Sequence, residues 1–107
     1  MTLIKVAANS RTASVAGAIA GVIRQHHRAE VQAIGAGALN QAIKALIIAI
    51  GYLKDEGIHV ACVPEFVDVT IEERIVTGIK LVIAPRVGSA LPSVPVSTSI
   101  PEDLPQT

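Results

Sequence analysis

The chain predicts an α+β fold, a two-layer βαβαββ sandwich with two helices on one face of a four-stranded mixed sheet. Three observations lead there. Over residues 3–54, short apolar runs alternate with segments of helical period, in the order strand, helix, strand, helix. Two further runs rich in β-branched residues then follow with only a polar turn between them. The core is aliphatic: half of the 107 residues are apolar, yet there is one Phe, one Tyr and no Trp. That length holds one domain with a modest core, and helices stacked on one sheet face are the layering this order allows.

Each element has a local reason. Leu3–Ala8 is an apolar run broken only by Lys5 and predicts the first strand. A polar turn over residues 9–12 follows, with Thr12 or Ser14 placed to cap a helix. Val15, Ile19, Val22 and Ile23 repeat at helical spacing and carry that helix to about His27. Gly17 and Gly21, one turn apart, are expected to let it pack closely. Glu30–Gly35 predicts the second strand. The second helix spans about Gly37–Lys54, with Leu39, Ile43, Leu46, Ile47 and Ile50 as its buried stripe. Ile48 and Tyr52 fall off that stripe, so this helix is apolar on more than one face, and helix 1 or a second subunit must cover the excess. Gly57 is the expected left-handed stop.

Ile58–Val69 predicts the third strand, and Pro64 marks it as an edge or a bulge because proline cannot donate to a ladder. Residues 70–73 form a turn. Ile75–Ala84 is the fourth strand, with Ile79, Leu81 and Ile83 on one face and Pro85 as its stop. Residues 87–107 hold four prolines, several serines and no basic residue. They read as a disordered Pro/Ser-rich tail, which leaves residues 1–86 as the domain. Each helix begins where a strand ends. Both helix N-termini, with the loops at 9–14 and 35–41, therefore belong at one end of the sheet.

Composition excludes several classes. The single Cys62 forbids an internal disulfide and fits a reduced, cytoplasmic setting. Residues 1–8 are too short for a secretory signal, and the longest apolar run, Ala45–Leu53, is far short of a membrane span, so no membrane association is expected. The zero net charge hides an asymmetry. Residues 1–54 carry six basic groups against the single acid Glu30, whereas residues 55–107 carry three basic groups against eight acids. A basic surface can thus exist on a neutral chain.

The constellations are sparse. Gly35-Ala36-Gly37 joins an apolar strand to a helix and leaves unpaired N–H groups at a positive helix end, a place that welcomes an anion. It holds two glycines of a dinucleotide fingerprint, with Asn40 in place of the third, but a full dinucleotide fold needs more strands. A tight turn that lets the helix pack on the sheet is one account of it, and a contact to a phosphate backbone is another. His26 and His27 point about 100° apart and lack further ligands nearby in sequence. Cys62 has no neighbouring base, and Glu65, Asp68, Glu72 and Glu73 spread along a strand and turn. No metal, no cofactor and no catalytic set are expected, so the protein is not expected to be an enzyme.

The central run from Glu30 to Ala45, with Ser14-Val15-Ala16-Gly17-Ala18-Ile19-Ala20-Gly21-Val22 upstream and Ile79-Lys80-Leu81-Val82-Ile83-Ala84-Pro85-Arg86 downstream, resembles the stage V sporulation protein S family. That family is similar in fold to the Alba nucleic-acid-binding proteins, and the resemblance covers about residues 3–86. It implies a regulatory protein of bacterial sporulation and septation with nucleic acid as partner; the small aliphatic core and the over-apolar second helix predict a homodimer, and departures from the Alba pattern favour RNA or single strands over duplex DNA. Carried over by position, the nucleic-acid-binding residues are Arg11 in the first loop, beside Ser10, and Asn40, Gln41 and Lys44 at the start of helix 2. The sequence departs from the Alba pattern in three places. Glycines 35 and 37 stand where those proteins have arginines, and the first-loop lysine is missing. The turn between strands 3 and 4 is acidic (Glu72, Glu73) where theirs is basic. The alternative is a protein-interaction regulator that kept the fold without binding nucleic acid.

Overall fold

A computed structural model describes residues 3–86. The elements follow the expected order: β1 (Leu3–Val6), α1 (Thr12–His26), β2 (Ala29–Ala33), α2 (Ala36–Asp55), β3 (Val60–Ile71) and β4 (Arg74–Pro85). The predicted tail at 87–107 lies outside the described residues. The sheet runs β1-β2-β4-β3, with β1 parallel to β2 and the other pairings antiparallel. It is therefore the mixed four-stranded sheet predicted, and buried residues of both helices share one core with Val6, Val31, Leu81 and Ile83. Pro64 sits on an edge strand, where it need not donate.

The first strand is shorter than expected because its exit is taken up by a turn. The Ala7 N–H donates to Ser10 Oγ at 2.8 Å, and the Ser10 N–H returns to the Ala7 carbonyl at 3.0 Å. Neither Thr12 nor Ser14 caps α1. Its N-cap is Arg11, in extended backbone, with no side-chain cap. Gly57 takes the left-handed conformation expected of it, at φ 78°.

The buried stripe of α2 differs from the predicted one. Ala38, Ala42, Ala45, Leu46, Ala49 and Leu53 are buried, while Ile43, Ile47 and Ile50 are 39%, 62% and 39% exposed. Leu39 and Ile48 are half-buried against the core. Two stripes on this helix satisfy helical spacing, one of alanines and one of larger aliphatics. The alanines win because α1 presents small side chains too, Ala16 and Ala20, both fully buried. Small residues in the core of both helices let them approach closely, which larger side chains would prevent. By length and mean hydropathy (20 residues, 1.4) α2 could cross a membrane, but in this fold its alanine face lies in the domain core.

Gly17 and Gly21 do not serve the close packing expected of them, since a Cβ at either would meet nothing within 4 Å. The tight approaches are elsewhere. A Cβ on Gly37 would lie 3.0 Å from the Ala8 Cβ. On Gly78 it would lie 2.8 Å from Ile34 Cγ1 and 2.9 Å from the Ala33 carbonyl oxygen.

The β3–β4 hairpin is longer than the sheet it joins. Its register runs from Val60↔Pro85 to Ile71↔Arg74, but β2 pairs only with residues 79–83 of β4. The rest projects as a two-stranded arm past the C-terminal end of β2, the end at which both helices begin. Glu72 and Glu73 close the arm with φ of 48° and 64°. Positive φ at both central residues is the signature of a two-residue type I′ turn, whose twist matches the strands.

Candidate nucleic-acid interface

The end of the sheet that carries the helix N-termini is assembled from the start of α2 and the first loop, held together. Gly37, Asn40, Gln41 and Lys44 recur at helical spacing and form one stripe of α2. That stripe faces the first loop. Gly37 abuts Ala8, and Gln41 Nε2 donates to the Ser10 carbonyl at 2.8 Å. The missing Cβ at Gly37 is what admits the loop, and Gly35, with φ of 91°, provides the turn into the helix.

Of the four residues expected to bind nucleic acid, three are free on this surface. Arg11, Asn40 and Lys44 are exposed, and none has a side-chain hydrogen bond or ion pair among the described residues. Gln41 is half-buried, and one amide hydrogen is committed to Ser10. It acts first as the tie between α2 and the loop bearing Arg11.

The helix ends add to the field. Neither helix has a capping side chain, and neither has an acid in its first turn. Their first N–H groups and dipoles therefore face this end uncompensated. Three other cations are paired elsewhere. At the opposite end Arg24 grips Glu56 in bidentate fashion at 2.7 to 2.9 Å, bridging α1 and the end of α2. On the helix-free face Lys80 lies 3.0 Å from Glu30 and 3.1 Å from Glu65, and Arg28 lies 3.6 Å from Glu30. The hydrogen bond from Lys80 holds the Glu30 carboxyl below its usual range, and the same contacts raise Lys80.

The arm brings Glu72, Glu73 and Arg74 to this same end, all exposed. Asp68 is tied to Thr77, whose Oγ1 donates to Oδ1 at 3.0 Å. Cys62 faces the core side of β3, and burial pushes its thiol pKa up, away from nucleophilic reactivity. Among the described residues no three His, Cys, Asp or Glu side chains gather where they could hold a metal.

One residue here escaped sequence reading. Gln32 in β2 is only 8% exposed and is the buried polar side chain of the described core. It pairs in register with Lys5 on one side and Lys80 on the other, on the face turned away from the helices. The alternation of Ala29, Val31 and Ala33 inward with Glu30 and Gln32 outward was the available signal.

The central run that shapes this surface, from Glu30 through the Gly35–Gly37 turn to Lys44, lies within a longer match. The family described as Stage V sporulation protein S matches residues 2–86, both helices and all four strands included. The chain is thus a sporulation-associated protein, and it belongs to the stage V sporulation protein S family.

Proposed function

We propose that this protein is a non-enzymatic, cytoplasmic regulator that binds nucleic acid across the end of the sheet bearing both helix N-termini, and that it works as a homodimer. One observation carries the reading: Arg11, at the uncapped start of α1, and Lys44, on the stripe of α2 that runs from Gly37 past Gln41, stand unpaired, while Arg24, Arg28 and Lys80 elsewhere are held in ion pairs. An unneutralised cluster of this kind suits a phosphate backbone. Asn40 donates to phosphate or sugar beside it. The acidic turn at Glu72 and Glu73 repels a second phosphate strand on the far side, which favours RNA or single strands over duplex DNA. The second subunit covers the outward stripe of α2, Ile43, Ile47 and Ile50, together with Phe66, which is 82% exposed.

A salt titration against single-stranded RNA, single-stranded DNA and duplex DNA tests the reading. Arg11→Ala and Lys44→Ala should each weaken binding to every sequence and lower the salt slope by about one. Absence of measurable binding at low ionic strength would refute it. In that case the same exposed apolar stripe and acidic turn support a protein-interaction regulator instead.

A further inference from the structure

The face of the sheet turned away from the helices carries a polar row that crosses all four strands in register: Lys5, Gln32, Lys80 and Glu65. Lys80 and Glu65 satisfy each other. Lys5 and Gln32 do not: neither side chain has a hydrogen bond or ion pair among the described residues, although Gln32 is nearly buried. The Gln32 amide is not sealed in: the buried side-chain nitrogens left without a partner among the described residues are Nε and Nη1 of Arg86, so the amide of Gln32 is an unpaired group that solvent, or a ligand, can still reach.

A cavity of about 410 Å³ opens beside these two residues. That volume is within the range of small-molecule sites. The end of β1 with Ala7 and Ala8 forms one wall, Ile34 a second, and Val69, Thr70 and Ile71 of the arm a third. The walls are mainly aliphatic. The polar residues of the lining are Lys5, Gln32 and Thr70. A planar amide sets a donor beside an acceptor, the pattern that the edge of a nucleobase also displays.

We propose that this cavity is a nucleobase subsite, in which the Gln32 amide pairs with a base edge and Lys5 meets the adjoining phosphate. The proposal rests on the nucleic-acid reading above and names the part of the ligand that the helix N-terminal surface leaves unread. The first loop is the shared rim. Ala7 and Ala8 line the cavity, and Arg11 ends the same loop on the phosphate-binding side. Glu72 and Glu73 follow directly on Ile71 of the cavity wall, so phosphate is repelled from the arm and a neutral base is the group that can approach it. A base already paired in a duplex has no free edge to offer, so the site selects single strands. Tyr52 and Phe66, the chain's aromatic residues, do not line it, so recognition depends on hydrogen bonds and aliphatic contact.

The test compares the full chain's affinity for a single-stranded RNA and for an abasic oligonucleotide of equal length, by fluorescence anisotropy at low salt. The abasic strand should bind about tenfold more weakly, the scale of a buried hydrogen-bonding group left unpaired. Gln32→Leu should bring the two strands to equal affinity with the salt slope unchanged. Thr70→Val, at an exposed position, should narrow the gap in the same way and stands in if Gln32→Leu fails to fold. Nucleoside monophosphates, followed by amide NMR, should shift the Gln32 side chain and residues 69–71. Equal binding of both strands by the native chain overturns the subsite and leaves the phosphate surface standing. If the native chain binds neither strand, the nucleic-acid reading fails, and the monophosphate spectra decide the cavity separately. Shifts at Gln32 and Thr70 retain it as a free-nucleotide site, and silent spectra overturn it.

Discussion

Replacing Ile47 with Glu should separate the subunits of the proposed dimer while leaving each fold intact. Ile47 is 62% exposed in the single chain and lies mid-stripe on α2, between Ile43 and Ile50. Complete burial of an isoleucine side chain is worth about 1.5–3 kcal/mol, so covering its exposed part is worth about 1–2 kcal/mol. A two-fold interface uses the same patch twice, which doubles the loss to about 2–4 kcal/mol. That corresponds to a rise of roughly 30- to 1,000-fold in the dimer dissociation constant. A buried carboxylate would add to the penalty. Sedimentation equilibrium over a concentration series reads the shift directly. The control is the thermal midpoint at a concentration where the parent is dissociated. It should hardly move, because the side chain there is already largely in water. Ile48→Glu is the contrasting variant: Ile48 packs against the core, so it should lower the midpoint at every concentration. A parent chain that is monomeric throughout, or an Ile47→Glu chain that dimerises like the parent, refutes the reasoning.

Other expectations follow from single contacts. Gly78→Ala should destabilise by about 1–3 kcal/mol, since the new methyl meets the Ala33 carbonyl, which cannot move aside cheaply; calorimetry should show the midpoint falling by about 4–8 °C per kcal/mol. The double change Glu72→Asn, Glu73→Gly should raise the midpoint, because it supplies the residues that a type I′ turn prefers where two glutamates now hold positive φ. Glu72→Lys with Glu73→Lys should strengthen nucleic-acid binding, most of all at low salt, in the same anisotropy assay. Glu30 has a folded pKa below its ordinary value of 4.5, so its stabilising contribution is fully present above that value and is lost as pH falls through and below it. Glu30→Gln should therefore flatten the acid side of a plot of thermal midpoint against pH.

The architecture was legible because its signals were redundant. Periodicity and turn chemistry marked the elements, connectivity alone placed the helix N-termini together, and the glycine turn does have a packing role, though Gly37 lies against Ala8 of the first loop and not against a strand. The buried face of α2 was not legible, for a physical reason. Its alanines and its larger aliphatics both satisfy a 3.6-residue period, and hydrophobic size favours the stripe that points outward. Only the presence of Ala16 and Ala20 on the partner helix decides between them. Caps failed similarly: Thr12 and Ser14 have the right chemistry, but the chain enters α1 through Arg11. The positions of Arg11, Asn40 and Lys44 could be read from connectivity. The tie between Gln41 and Ser10 could not, because it depends on a side chain crossing from α2 to a loop distant in sequence.

The long third strand has a consequence for the protein's behaviour at high concentration. β3 is an outer strand of twelve residues, rich in valine, with one flank of its backbone unpaired among the described residues. Such a strand is a template on which another chain can add and begin a fibre. Pro64 interrupts it within Cys62-Val63-Pro64-Glu65-Phe66-Val67, and Glu65 and Asp68 put negative charge along it. These residues act as gatekeepers whose removal need not disturb the fold of an isolated molecule. A Pro64→Val chain would keep its helices and lose its solubility, detectable as thioflavin-positive aggregates growing from a protein that still melts cooperatively.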